Sequence, residues 1–228
     1  MSGSIADKPA RQVDASEPVE ILARPRFVSR GGEKLDAALD RFAIDVAGLH
    51  ALDAGSSTGG FTDCLLQRGA AHVTAVDVGR HQLHERLRQD PRVEVREQTH
   101  IRDFTGGPFP LVVADLSFIS LRTVAPDLAR LAAPGADLVL LVKPQFEVGR
   151  VEAAKGKGVV RDPEAWRRAL ADVVSALQGV GAAMMGVMVS PLKGADGNVE
   201  FLGWFRAGAD AGAAAPVDLD AVVQEAAG

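Results

Sequence analysis

Cys64 is the single cysteine in 228 residues. An internal disulfide is therefore excluded, as is any metal cluster built on cysteine, and such a chain suits a reducing cytoplasm. No apolar run reaches the roughly 18 residues of a membrane-spanning helix, and Asp7 and Lys8 stand where a secretory leader would be apolar. Neither membrane insertion nor secretion is expected. A basic excess is also missing, because the formal charge of -5 gives no global pull toward nucleic acid. Four acids, Asp210, Asp218, Asp220 and Glu225, lie in a tail after Arg206 that holds no Lys or Arg. The rest is close to neutral and is free to carry a local basic face. No internal repeat is found. What remains, 47% hydrophobic and 24% charged, is the composition of a globular chain long enough for one domain with a six- or seven-stranded sheet.

The stretch Leu52-Asp53-Ala54-Gly55-Ser56-Ser57-Thr58-Gly59-Gly60-Phe61 organises the reading. Apolar residues run into an acid and a glycine, and an amphipathic segment with Phe61, Leu65 and Leu66 on one face follows. This predicts a strand, a tight turn and a helix N-terminus. Glycine permits positive φ and close approach of a ligand to the backbone, and the helix start offers N–H donors to an anionic group. The spacing fits neither G-x-G-x-x-G nor a G-K-[ST] phosphate loop. It resembles instead the D-x-G-x-x-x-G-G form of S-adenosylmethionine-dependent methyltransferases. Asp77, ending the strand His72-Val73-Thr74-Ala75-Val76-Asp77 about 20 residues further on, stands where such folds grip a ribose diol. The alternative is that Asp53 and Asp77 merely cap a turn and a loop.

From His50 onward strands and helices alternate, the signature of a parallel sheet. Strands are expected at 51–54, 73–78, 93–95, 110–115 and 137–144, then at 184–189 and 199–205 as an antiparallel edge hairpin. Helices are expected over 30–42, begun by Ser29 or a nearby glycine, from Gly59, at 81–90, at 121–132 with Pro134-Gly135 as its stop, and from Asp162-Pro163-Glu164 to Gln178. Residues 1–27 read as a linker with at most a strand at Val19-Glu20-Ile21-Leu22, and 207–228 as a tail with a short helix around Val217, Leu219, Val222 and Val223. Lys34 is expected off the apolar stripe of its helix, in a first turn where a cation opposes the helix dipole. Cys64 reads as packing against the sheet.

In such sheets ligands sit beyond the carboxyl ends of the strands, where Asp53, Asp77, Asp115 and Lys143 all arrive. Lys143 follows a run of five apolar residues, so it must emerge at the strand end or meet a carboxylate. Glu200 interrupts an apolar run and is costly there unless paired or wet.

Five segments in order resemble one family. They are Val28-Ser29-Arg30-Gly31-Gly32-Glu33-Lys34-Leu35, Asp53 to Thr62, Ala114-Asp115-Leu116-Ser117-Phe118-Ile119-Ser120-Leu121, Val142-Lys143-Pro144-Gln145-Phe146-Glu147 and Gly197-Asn198-Val199-Glu200-Phe201. Over residues 28–206 the chain is similar to the TlyA (hemolysin A-like) family, FtsJ-like enzymes that methylate a cytidine ribose 2′-hydroxyl in 16S or 23S ribosomal RNA. The resemblance implies a class I, Rossmann-like α/β fold: a seven-stranded, mostly parallel sheet with an antiparallel edge hairpin and helices on both faces. It implies S-adenosyl-L-methionine as cofactor, held by Asp53, Ala54, Gly55, Ser56, Ser57, Gly59, Gly60, Phe61, Asp77, Val78 and Asp115. A catalytic tetrad of Lys34, Asp115, Lys143 and Glu200 is further implied, with Lys143 as base or as orienting group for the 2′-hydroxyl. Ribosomal RNA or a ribosomal subunit is the implied partner, a monomer the default state and no metal a requirement. The family begins with a small RNA-binding domain, of which residues 5–27 are expected to hold only the last strand and linker.

Basic residues that could meet RNA phosphates are Arg24, Arg26, Arg30, Lys155, Lys157, Arg161, Arg167, Arg168 and Lys193. Gly156-Lys157-Gly158-Val159-Val160 reads as a loop beside the cradle, suited to a substrate lid. Phe118 is assigned either to stacking on a flipped base or to core packing, Trp166 and Trp204 to core or half-buried anchors, and His81 and His84 to the surface. The rival functions are a nicotinamide-dependent oxidoreductase on a similar sheet, a ribosome-assembly factor without chemistry, and a pore-former, which has no spanning segment to support it.

Overall fold

The computed structural model describes residues 25–149, 156–209 and 217–228. Helix α1 (Gly31–Arg41) precedes β1 (His50–Ala54), α2 (Gly60–Gln67), β2 (His72–Val76), the single turn α3 (Glu85–Arg88) and β3 (Val93–Arg96). Next come β4 (Phe109–Ala114), α4 (Leu121–Leu131), β5 (Ala132–Val142) and a one-turn α5 (Pro144–Glu147). The chain closes with α6 (Pro163–Gln178), β6 (Ala182–Val189), β7 (Phe201–Ala207) and α7 (Leu219–Ala227).

The strands make one sheet of order β3-β2-β1-β4-β5-β7-β6, in which β7 alone is antiparallel to its neighbours. Both faces are covered, so β4 and β5 carry near-continuous apolar runs rather than alternation. Leu35, Ala38 and Leu39 of α1 pack with Cys64 and Leu65 of α2 against Ala51, Val73, Leu111, Val113 and Leu141. On the other face Val124 and Leu128 of α4, Trp166 and Leu170 of α6 and Val222 and Val223 of α7 cover Leu52, Val112, Leu138, Leu140 and Phe205. Each fully buried leucine in these layers contributes about 1.5–3 kcal/mol. Helix α2 leaves β1 on one face and α4 leaves β4 on the other. The crevice between β1 and β4 is thus the topological switch point, where ligands of open α/β sheets bind.

Several expectations are corrected. The second strand ends at Val76, two residues early. Residues 81–90 hold only the α3 turn, because the Glu97 carboxylate accepts from the N–H groups of His81, Gln82 and Leu83 at 2.7, 2.9 and 3.2 Å and ties that segment into a loop. Pro134-Gly135 does not follow the α4 helix as a stop. Strand β5 already begins at Ala132, paired with Phe109, and runs through both residues past a register shift. The antiparallel pair β6–β7 and the C-terminal helix are present. The strand expected at 19–22, Arg24 and Lys155 lie outside the described residues. No helix among the described residues is long and apolar enough to cross a membrane.

Candidate active site

Gly55 follows β1 with φ +85°, and a side chain there would place its Cβ 2.6 Å from the Asp115 carbonyl oxygen. The turn therefore lies directly on the start of the β4–α4 loop. The N–H groups of Gly55 and Ser56 both donate to Val76, and that of Ser57 donates to Asp77 Oδ2 at 2.8 Å. Those donors shape the turn instead of standing open to a ligand. Gly60 is needed for a different reason: its Cβ would fall 2.3 Å from Ser29 Oγ, so α2 can start only if it abuts α1 without a side chain.

Above this turn opens a cavity of about 520 Å³, within the usual range for small-molecule sites. Gly55, Ser56, Ser57, Gly60, Phe61 and Asp115 line it, six of the residues expected at a cofactor. Asp53, Ala54, Gly59, Asp77 and Val78 do not line it. Asp53 and Ala54 are fully buried beneath the turn, and Val78 faces outward. Asp77 uses its carboxylate on the backbone N–H groups of Ser57 and Gly79, closing two turns at once.

Asp53 accepts from Thr62 Oγ1 at 2.6 Å through Oδ2, while Oδ1 has no partner. Burial pushes its pKa up to about 7, against the Thr62 hydrogen bond and with some help from the Asp115 charge. A second buried carboxylate, Glu147, accepts from Ser120 Oγ at 2.5 Å and from the Leu121 N–H at 2.7 Å. It pins the start of α4 to α5, with burial again raising its pKa.

Lys34, Asp115, Lys143 and Glu200 all line the cavity, as two ion pairs. Lys143 Nζ is 2.5 Å from Asp115 Oδ1 and donates to Ser117 Oγ at 3.0 Å. Lys34 Nζ donates to Glu200 Oε2 at 2.5 Å. Lys34 is not off the apolar stripe as the sequence suggested; it is 8% exposed, and Glu200, itself 3% exposed, supplies the counter-charge that offsets burial and the adverse dipole. The topology explains the meeting. Because β7 is reversed, its first residues lie at the rim where the parallel strands end, and Phe201 pairs with Val142, so Glu200 arrives next to Lys143.

Residues not singled out beforehand complete the wall. Ser117 lies inside the quoted Asp115-to-Leu121 segment, two residues past the acid. Gln145 lines the cavity with an unpartnered Oε1. Gly194 lets the last hairpin fold over Glu200, since a Cβ there would sit 2.1 Å from Oε1. Asn198 binds the Gly158 carbonyl and the Val160 N–H at 3.0 Å each, which fixes the 156–160 loop against the cavity. Its nearness to a turn-rich, glycine-bearing join was the available signal.

Phe118 is 92% exposed at the cavity mouth, so core packing is ruled out for it. Its φ of +64° is an unfavourable conformation for a bulky residue, and its ring leans on Phe146 at 5.3 Å between centroids. Trp166 is buried and Trp204 half-buried, as anchors. Arg30 lines the cavity, whereas Arg26 pairs with Asp36 and Arg167 with Asp220.

A seven-stranded sheet with one reversed strand next to its edge and a glycine turn at the switch point is the architecture of class I methyltransferases. Residues 27–207 match the family model of FtsJ-like methyltransferases, and the chain belongs to that family. Among its relatives is the 16S/23S rRNA (cytidine-2′-O)-methyltransferase TlyA of Mycobacterium tuberculosis, 49% identical over 97% of this chain and 85% of that protein. The 23S rRNA (cytidine-2′-O)-methyltransferase TlyA of Campylobacter jejuni is 38% identical over 78% of this chain and 70% of that one. A solved hemolysin-type structure from Lactococcus lactis superposes with a TM-score of 0.84 at 40% identity, covering 90% of this chain and 100% of the other.

Proposed function

We propose that the chain transfers a methyl group from S-adenosylmethionine to the ribose 2′-hydroxyl of a cytidine in ribosomal RNA. The observation that carries this reading is the convergence of Lys34, Asp115, Lys143 and Glu200 on one cavity beside the glycine turn. Two relatives named for that reaction, 49% and 38% identical, support the choice of substrate. The cavity fits the cofactor in three respects: its volume, a turn without Cβ at Gly55, and the buried acceptor Gln145 Oε1, which lacks a hydrogen-bond partner.

When bound, S-adenosylmethionine supplies an electrophilic methyl group carried on a positively charged sulfur. Gly55, Ser56, Ser57, Gly60 and Phe61 hold it against the turn, and the Asp115 carboxylate favours the cationic centre. A ribose hydroxyl is a weak nucleophile, so orientation and removal of its proton are the tasks left to the side chains. Lys143 suits the first. An ammonium has three donors; Asp115 and Ser117 lie against two directions, and the third is left for the ribose oxygen. Lys34 and Glu200 fix the far wall of the cavity, while Phe118 offers a ring for the base to stack on outside it. Asp53 and Asp77 hold the turn in shape from below and beside.

The test is to incubate ribosomal subunits with the protein and methyl-labelled cofactor and to map ribose methylation along the RNA. Methylation at a cytidine by the wild type, lost with Lys143→Ala while cofactor affinity stays within a few-fold, is the expected result. Normal modification by Lys143→Ala would overturn the assigned role, and RNA binding without any transfer by the wild type would favour an assembly factor.

A further inference from the structure

At the opposite end of the sheet, His50, His72 and Glu94 bring three potential metal-ligating atoms within 4.8 Å of one another. Parallel register creates the cluster: His50 opens β1 and pairs with His72, which opens β2, and Glu94 on β3 pairs with Thr74. None of the three sits in the catalytic cavity. Along β1 the two ends of the sheet are about 15 Å apart at ~3.3 Å per residue.

The cluster is already oriented. The His50 and His72 rings meet edge to face at 4.6 Å, and His50 is held on its other side by Phe109 at 5.0 Å. Thr74 Oγ1 lies 2.9 Å from His50 Nε2 and donates to Glu94 Oε2 at 3.0 Å. Arg96 holds the other carboxylate oxygen, Oε1, through Nε at 2.8 Å, leaving Oε2 turned toward the imidazoles. A hydrogen-bonded carboxylate and ring-braced histidines are the outer contacts that metal ligands use to keep their aim.

We propose that His50, His72 and Glu94 form a binding site for a divalent transition-metal ion of the zinc type, remote from the methyl-transfer cavity. Two imidazoles and one carboxylate are a donor set of borderline softness that suits zinc and leaves a fourth position for water. Metal–nitrogen distances of about 2.0–2.1 Å require tetrahedral ligands roughly 3.3 Å apart, so atoms now within 4.8 Å of one another would draw in by at most about 1.5 Å, exchanging the Thr74 contacts for the ion. Bound there, the ion ties the starts of β1 and β2 to β3. The four residues of β3 form a sheet edge that is only partly buried, and a cross-link of this kind adds most at such an edge.

Titrating the full, untagged chain with zinc chloride by calorimetry tests the site. One ion per chain is expected, with a Kd near or below about 10 μM and a wild-type Tm raised by roughly 3 °C or more at saturating metal. His72→Ala and Glu94→Gln should each weaken binding by about tenfold or more and abolish the Tm rise. Both variants should methylate RNA as the wild type does. Glu94→Gln removes a charge from a half-buried strand edge, so it reports on the site even if His72→Ala fails to fold. Cobalt(II) gives an independent readout, because visible absorption bands of a low-coordinate ion should appear with the wild type alone. Undiminished stoichiometric binding in both variants would assign the metal elsewhere, and absence of saturable binding at about 100 μM zinc would end the proposal.

Discussion

Replacing Asp53 by Asn should change the pH dependence of stability by an amount the structure sets. The carboxyl is completely buried, and its pKa lies near 7 where an exposed aspartate has 3.8. Below about pH 4 both folded and unfolded chains hold the proton, and the group favours neither. Between pH 4 and 7 the folded chain keeps a proton that the unfolded chain has released, so stability falls as pH rises, then levels above 7. At about 1.4 kcal/mol per unit the whole penalty is about 4 kcal/mol, of which roughly 3 kcal/mol accrues between pH 5 and 8. Asparagine still accepts from Thr62 Oγ1 through its amide oxygen but leaves an N–H2 where Oδ1 had no partner, costing about 1–3 kcal/mol at every pH. The variant should therefore be equal to or weaker than the wild type at pH 5 and stronger at pH 8. Urea unfolding at the two pH values measures the difference directly. A wild-type-minus-variant difference that is flat within about 0.5 kcal/mol would refute a protonated, unpaired carboxyl at Asp53.

Lys34→Met should destabilise the fold by about 3–5 kcal/mol by stranding Glu200, and the double variant with Glu200→Met should recover a substantial part; additive losses in denaturant melts would show that the pair is not coupled. Phe118→Ala should lower RNA methylation by roughly tenfold at limiting RNA, the loss of one stacked base, with cofactor binding by calorimetry unchanged. An unaltered rate would remove Phe118 from substrate recognition.

Much of this was legible along the chain because the governing patterns are local. Strands β1, β4 and β5 announce themselves as apolar runs, and Asp115 and Lys143 follow from what must happen to a charge at such a strand's end. Lys34 was misjudged because its partner stands 166 residues away, and the helix dipole was the only local argument on hand. The helix expected at 81–90 failed for a similar reason: Glu97, beyond the segment, takes its N–H groups. His81 and His84 are close in sequence, whereas His50 and His72 meet only through strand register, which no local pattern reveals. Exposure of Phe118 was equally hidden, since nothing in Leu116-Ser117-Phe118-Ile119 fixes a positive φ at the third residue.

The single reversed strand is what lets residues from both ends of the domain share one wall. In a wholly parallel sheet only strand ends reach the binding rim, and a residue at a strand's start is delivered to the opposite edge, as His50 and His72 are. Reversing β7 brings its start to the rim, so Glu200 stands beside Lys143 while Lys34 descends from α1, packed on the same sheet by Leu35, Ala38 and Leu39. The Lys34–Glu200 pair thus ties the first described helix to the last strand across the cavity mouth. If the proposed catalytic role of this pair holds, the loss of either side chain should register in unfolding as well as in methyl transfer.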